Sequence, residues 1–183
     1  MGRVGLGLAS IINSKSEAVE MAMRSIAAIA LGSNLDSAFG DREGNLREAV
    51  RRIGGEPGGL GLVRAVSSFH DTEPVGYLAQ PRFLNGALLL ETELEPLDLM
   101  RGLLGVEREM GRKRAIAKGP RVIDLDLLLY GSVVMATVEL TLPHPEMHVR
   151  RFVLEPLAEI APGMVHPVLG RTVGQMLISG MVA

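Results

Sequence analysis

Apolar positions along the chain recur with two spacings, one helical and one alternating. Leu46, Ala49, Val50 and Ile53 recur at helical spacing and predict a helix over Asn45–Ile53, ended by Gly54-Gly55. Pro96 is placed to open a second helix, Leu97–Met110, with Leu99, Leu103, Leu104 and Val106 on one side and Gly111 after it. Phe152, Leu154, Leu157 and Ile160 predict a third over Arg151–Ile160, and Val173–Ile178 a short terminal one. Strand patterns lie between them. Leu62–Phe69 carries β-branched Val63 and Val66. In Phe83–Glu91, Phe83, Asn85 and Ala87 share one face, and Leu84, Leu88 and Leu90 the other. Val133, Val134 and Leu140 are strand residues of a short excursion. Ser25–Leu31 is ambiguous, because its alanines favour helix but the run is short and stops at Gly32. Ser16 followed by EAVEMAMR has the form of a capped helix.

A continuous apolar segment of strand length is Val122–Tyr130, entered through Gly119-Pro120 and left at Gly131. Alternation puts Ile123, Leu125, Leu127 and Leu129 on one face, and Val122, Asp124, Asp126, Leu128 and Tyr130 on the other. Two carboxylates then stand about 7 Å apart along one strand face. Such a pair is costly to bury unless a cation or several donors balance it. A hard divalent cation suits it, and Mg²⁺ usually takes one or two protein carboxylates and completes its shell with substrate phosphates and water. Arg112, Lys113, Arg114, Lys118 and Arg121 precede the pair. Carboxylates for metal beside guanidiniums for phosphate point to phosphoryl or pyrophosphoryl transfer.

The bland readings of these residues are a solvated strand end for the Asp pair, a solvated helix end for the basic run, and a backbone-bonded core residue for Asn85. On the residues alone two other functions stay open. One is a metal-dependent nucleotidyl or glycosyl transferase using the Asp-x-Asp pair; the other is a catalytically silent binding domain.

Composition narrows the setting. With 183 residues, one domain is expected, large enough to bury about 70% of its unfolded surface. No cysteine is present, so disulfides and thiolate metal sites are excluded and a reducing cytoplasm is expected. The net charge of −2 and the scarcity of aromatics, with four Phe, two Tyr and no Trp, argue against a nucleic-acid partner. No apolar run reaches membrane-spanning length, so no membrane partner is expected. Arg outnumbers Lys 16 to 3, and five of the Arg fall between Arg101 and Arg121, which favours bidentate contacts to phosphate there.

The segments GRKRAIAKGPRVIDLDLLLYG and LTLPHPEMHVRRFVLEPLAEIAP, with LGSNL at 31–35 and VSSFHDTEPVGYLAQPRFLNGALLLET at 66–92, resemble the 6-hydroxymethyl-7,8-dihydropterin pyrophosphokinases of folate biosynthesis. The resemblance covers about residues 25–178, in the family's order. It implies an α+β, ferredoxin-like fold with a mainly antiparallel sheet and helices packed on it, in which Ser25–Leu31 is the first strand. Residues 25–183 are then the catalytic domain. Residues 1–24 are expected to be a disordered extension or the product of a start set upstream of Met21 or Met23.

The implied reaction is transfer of pyrophosphate from ATP to the pterin hydroxymethyl group, with release of AMP, by a cytoplasmic enzyme expected to be a monomer. The resemblance makes Asp124 and Asp126 the ligands of two Mg²⁺ ions. Arg121 holds ATP phosphate, and Arg112 and Arg114 close over the triphosphate. Glu107, Thr141, His144 and Arg150 are implied on the nucleotide side. Phe83 and Phe152 sandwich the pterin, Asn85 reads its amide edge, and Thr72, Pro74 and Val75 supply loop contacts. This chain departs from the pattern at Ala115–Lys118, where the loop is one residue shorter and lacks an Arg and a Trp, and at Pro145, which replaces an aromatic.

Overall fold

The computed structural model describes residues 24–55, 58–112 and 119–180. Of the segment expected to be an extension only Arg24 is described, paired with Glu91 and Glu93; residues 1–23, and with them the helix expected after Ser16, lie outside. So do Lys113, Arg114 and Ala115–Lys118.

Ser25–Ser33 forms β1, resolving its ambiguity in favour of a strand. Its alanines serve as small side chains on a strand buried on both faces, where tertiary packing overrides helix propensity. The chain continues through α1 (Arg42–Gly54), β2 (Leu62–Val66), β3 (His70–Thr72), β4 (Phe83–Thr92), α2 (Pro96–Glu109) and β5 (Asp124–Tyr130). A two-stranded ribbon, β6 (Met135–Ala136) and β7 (Thr141–Leu142), follows. A single 3₁₀ turn, α3 (Arg151–Ile160), a second ribbon of β8 (Val165–His166) and β9 (Arg171–Thr172), and α4 (Val173–Ser179) complete the described chain.

Expected strand positions shift at β2–β3 and at the ribbon. The strand expected over Leu62–Phe69 ends at Val66, and a separate β3 follows. The ribbon strands are Met135–Ala136 and Thr141–Leu142, not Val133-Val134 and Leu140; Val133 instead closes a turn onto the Tyr130 carbonyl.

Local signals set the helix starts. Asp41 caps α1 by accepting from the Gly44 N–H at 2.9 Å, Pro96 opens α2, and Thr172 and Gln175 form a reciprocal capping box on α4.

The main sheet runs β2-β4-β1-β5, with β3 also paired to β4, and all its pairs are antiparallel. On one face, Ala27, Ile29 and Leu31 pack under Leu46, Ala49 and Ile53 of α1 and Leu99, Leu103 and Val106 of α2. On the other, Ala28, Ala87, Leu128 and Leu129 pack under Val153, Leu154 and Leu157 of α3 and Val173 and Met176 of α4. A fully buried Leu or Ile contributes about 1.5–3 kcal/mol, so these two layers are the main stabilising term.

The sheet register shifts twice, between Val63 and Ala65 of β2 and, at a place that matters for the site, between β1 and β5. The β1–β5 register jumps from Ile29↔Leu127 to Ala28↔Leu129, leaving Leu128 as a bulged residue. Leu129 therefore lies with Leu128 in the α3/α4 core, and Tyr130 crosses to the opposite core, donating its hydroxyl to the Leu94 carbonyl. The strict alternation that put Leu129 with Leu127 and Tyr130 with Asp126 holds only as far as Leu128. Asp124 and Asp126 lie before the bulge and keep a common face. None of the described helices is long and apolar enough to cross a membrane.

Candidate active site

The α3/α4 face of the sheet is covered only in part. Along β1 this face carries only the small residues Ala28, Ala30 and Gly32, and beyond the cover of α3 a cleft of about 560 Å³ opens. Strand register sets its floor: Gly32 lies between Asn85 of β4 and Asp124 of β5, and Ala30 between Ala87 and Asp126. Asn85 and the two aspartates are thereby brought to one face from strands that are far apart in sequence.

The loop into β5 adds the positive charge. Arg121 reaches Asp124 Oδ2 at 3.0 Å, and Arg112 reaches Asp124 Oδ1 at 2.6 Å. Arg112 also pairs with Glu107. Glu107 is 2% exposed and accepts from the Leu125 N–H at 2.7 Å, so α2 holds the backbone between the two aspartates. Burial pushes the Glu107 carboxyl above the usual range, with Arg112 pulling the other way. Burial, and then the Asp124 charge, push the Asp126 carboxyl up as well.

Two arginines stand against the aromatic walls. Arg121 lies over Phe83 at 5.2 Å from the ring centre, and Arg150 lies over Phe152 at 5.8 Å while pairing with Glu146. The Arg121 Nε is buried and has no hydrogen-bond partner among the described residues. His144 donates its backbone N–H to the carbonyl of the bulged Leu128, and its Nδ1 accepts from the Glu146 N–H. Burial pulls the His144 imidazole below its ordinary range, against the attraction of Asp126. On the opposite side Asn85 donates to Thr72 Oγ1 at 2.6 Å.

Most of the expected residues meet here. Thr72, Val75, Phe83, Asn85, Arg112, Arg121, Asp124, Asp126, His144, Arg150 and Phe152 all line the cleft. Three do not. Pro74 is buried beside the loop, Glu107 faces inward behind Arg112, and Thr141 is an exposed residue of the β6–β7 ribbon. Arg114 lies outside the described residues.

Sequence reasoning missed Asn34. Its side chain accepts from the Arg121 N–H at 2.7 Å and donates to Gln80 Oε1 at 3.1 Å and the Pro81 carbonyl at 3.0 Å. It ties the arginine loop to the loop before β4. An Asn after Gly-Ser reads as a turn former, and nothing local marks partners this distant.

The chain that builds this cleft has similar counterparts among known proteins. Residues 28–162 match the family model of 7,8-dihydro-6-hydroxymethylpterin-pyrophosphokinase. The chain is 46% identical over 138 residues to the 2-amino-4-hydroxy-6-hydroxymethyldihydropteridine pyrophosphokinase of Bacillus subtilis, covering 75% of this chain and 79% of that protein. It is 42% identical over 139 residues to the Haemophilus influenzae protein of the same name, covering 76% and 83%. Among solved structures, Plasmodium falciparum HPPK-DHPS superposes with a TM-score of 0.68 at 15% identity, over 85% of this chain and 44% of that one, a likeness of fold. With three-quarters of its length matched by the model and by the Bacillus protein, the chain belongs to the 7,8-dihydro-6-hydroxymethylpterin-pyrophosphokinase family.

Proposed function

We propose that the cleft over β1 and β5 is where this chain carries out its family's reaction, the transfer of pyrophosphate from ATP to hydroxymethyldihydropterin in folate synthesis. The observation that carries this reading is the row Asn85–Gly32–Asp124 across three adjacent strands. It sets a hydrogen-bonding amide suited to a pterin edge beside a carboxylate pair suited to a polyphosphate. The sheet order, with β4 between β1 and β2, supports the ferredoxin-like form of the α+β fold.

In the reaction the pterin hydroxyl oxygen bonds to the β-phosphorus. The bond from that phosphorus to the oxygen bridging the α-phosphate breaks, AMP leaves with the bridging oxygen, and the hydroxyl proton is released. The protein's task is positioning and charge neutralisation.

Asp124 and Asp126 would hold magnesium. They fit it: both are hard oxygen donors on one face, their mutual repulsion calls for positive charge, and the described residues assemble no group of three or more His, Cys, Asp or Glu that would form an all-protein cage. The remaining ligands would come from phosphate and water, the usual arrangement for Mg²⁺. When bound, the metal would supply charge neutralisation across the phosphates and their alignment. Arg121 lines the cleft and would donate to a phosphate oxygen, and Arg112 stands beside it. Arg150 and His144 line the nucleotide side. Phe83 and Phe152 flank the pterin ring while Asn85, oriented by Thr72, reads its edge.

The test is AMP release from ATP and Mg²⁺, with and without 6-hydroxymethyl-7,8-dihydropterin, by the wild type and Asp126→Ala. AMP that requires both the pterin and Asp126 supports the reading. ADP in place of AMP would move the attack to the γ-phosphorus, and pterin-independent hydrolysis would remove the pterin from the cleft.

A further inference from the structure

A glycine inside a central strand weakens it and adds nothing to either core, so it marks an unusual backbone, a bulge, or a place where something must approach closely. Gly32 sits within β1, paired on both sides. It is not among the positive-φ glycines, and the β1–β5 bulge lies elsewhere, so its backbone does not require glycine. Core packing does not require it either. The neighbouring Gly86 of β4 shows what such a demand looks like, since a Cβ there would lie 2.7 Å from the Phe69 ring. At Gly32 the atoms nearest to a Cβ would be Asn85 Oδ1 at 3.0 Å, Asp124 Cβ at 3.7 Å and Phe83 Cδ1 at 3.9 Å. All three belong to the cleft. What the missing side chain preserves is open floor between the pterin end and the phosphate end.

Asn85 and Asp124 flank Gly32 on adjacent strands, so their backbones are about 10 Å apart across β1. The two substrates must meet within that span, and reacting atoms must come within about 3–3.5 Å of each other. Resting on the function proposed above, we infer that Gly32 is a positioning residue for the transfer: its bare backbone forms a trough in which the hydroxymethyl arm of the pterin lies across β1 toward the β-phosphorus. A methyl group at this position would occupy the arm's path, at ordinary contact distance from Asp124 and Phe83, with the Asn85 Oδ1 giving by a few tenths of an ångström.

The experiment compares wild type with Gly32→Ala in three readouts: binding of Mg-ATP alone, binding of 7,8-dihydropterin, which lacks the arm, against 6-hydroxymethyl-7,8-dihydropterin, and turnover. The Gly32→Ala protein is expected to bind Mg-ATP and the armless ring within about threefold of wild type. It should bind the hydroxymethyl compound less well relative to the armless ring than wild type does, and lose at least about 10²-fold in kcat, the scale of a 1 Å misplacement. Turnover within threefold of wild type would overturn the proposal, and so would equal loss of armed and armless ring binding, which would make Gly32 a mere support for Asn85. Should the alanine crowd Asn85 enough to unfold the protein, Asn85→Ser and Gly32→Ala/Asn85→Ser replace the first pair. A further loss of turnover in the double variant supports the trough, and none overturns it. Wild type that releases no AMP with the pterin would instead defeat the underlying functional reading.

Discussion

Arg112 and Asp124 form an ion pair at 2.6 Å, and the same Arg112 guanidinium also contacts the buried carboxylate of Glu107. One cation therefore serves two acids of different kinds. Asp124 faces the cleft, and Glu107 faces the backbone that carries it. The role implied for Arg112 by resemblance, closing over the triphosphate, is joined by a structural one, because its side chain is only 14% exposed.

Arg112→Ala should therefore cost stability as well as activity. It strands Glu107 in the interior, and loss of one partner of a buried pair costs about 3 kcal/mol at neutral pH. The pH dependence has a definite sign. The Glu107 carboxyl is already raised by burial, and without Arg112 it rises further. A raised folded-state value gives stability that is fully present below the ordinary glutamate range and is lost as pH rises through the folded value. The gap in Tm between wild type and Arg112→Ala should accordingly widen from pH 5 to pH 8. A gap that is flat or narrows over this range would show that Glu107 does not depend on Arg112 for its charge.

Asp126→Asn separates function from stability in the opposite direction. The Asp126 carboxyl is raised by burial and by Asp124, so at neutral pH its charge weakens the metal-free fold. The neutral amide should leave the metal-free Tm unchanged or higher, while Mg²⁺-dependent turnover falls on the order of 10²–10³-fold, as when one preorganised charge-stabilising group is removed. Thermal unfolding without metal, set beside AMP production, checks both halves. A marked fall in Tm would make Asp126 a structural residue.

Asn34→Ala tests the link between the two loops. Asn34 is 2% exposed, and its loss leaves the Arg121 N–H and the Pro81 carbonyl without their side-chain partner. Unfolding in denaturant should register a cost of about 1–3 kcal/mol. With the Arg121 main chain released, the KM for ATP should also rise. An unchanged KM with reduced stability would confine Asn34 to the fold.

What could be read from the sequence follows from the range of the forces involved. The period-2 face of Asp124 and Asp126, and that of Phe83 and Asn85, are local properties, and the structure keeps both. The bulge at Leu128 depends on pairing with β1, about a hundred residues away, and local alternation gave no sign of it. Asn34 meets Arg121 across a separation of 87 residues, and Glu107 meets the Leu125 amide only because α2 packs against β5. Gly32 read only as the stop of the Ser25–Leu31 run, and its importance as open floor is visible only with Asn85 and Asp124 on either side of it.

Asn85 has its own division of labour. Its amide N–H donates to Thr72 Oγ1 at 2.6 Å, which fixes the side-chain plane within the cleft. Asn85→Ala should weaken pterin binding by about 10- to 100-fold, the loss of one or two buried hydrogen bonds, without altering Mg-ATP binding measured alone. Thr72→Val removes only the orienting partner, so its effect on pterin affinity should be smaller and in the same direction. Combined, the two substitutions should cost less than the sum of their separate effects, because Thr72 has nothing to orient once Asn85 is gone. Titration calorimetry with the pterin and with Mg-ATP on the three variants distinguishes the cases. Full additivity would mean that Thr72 contacts the pterin independently and does not act through Asn85.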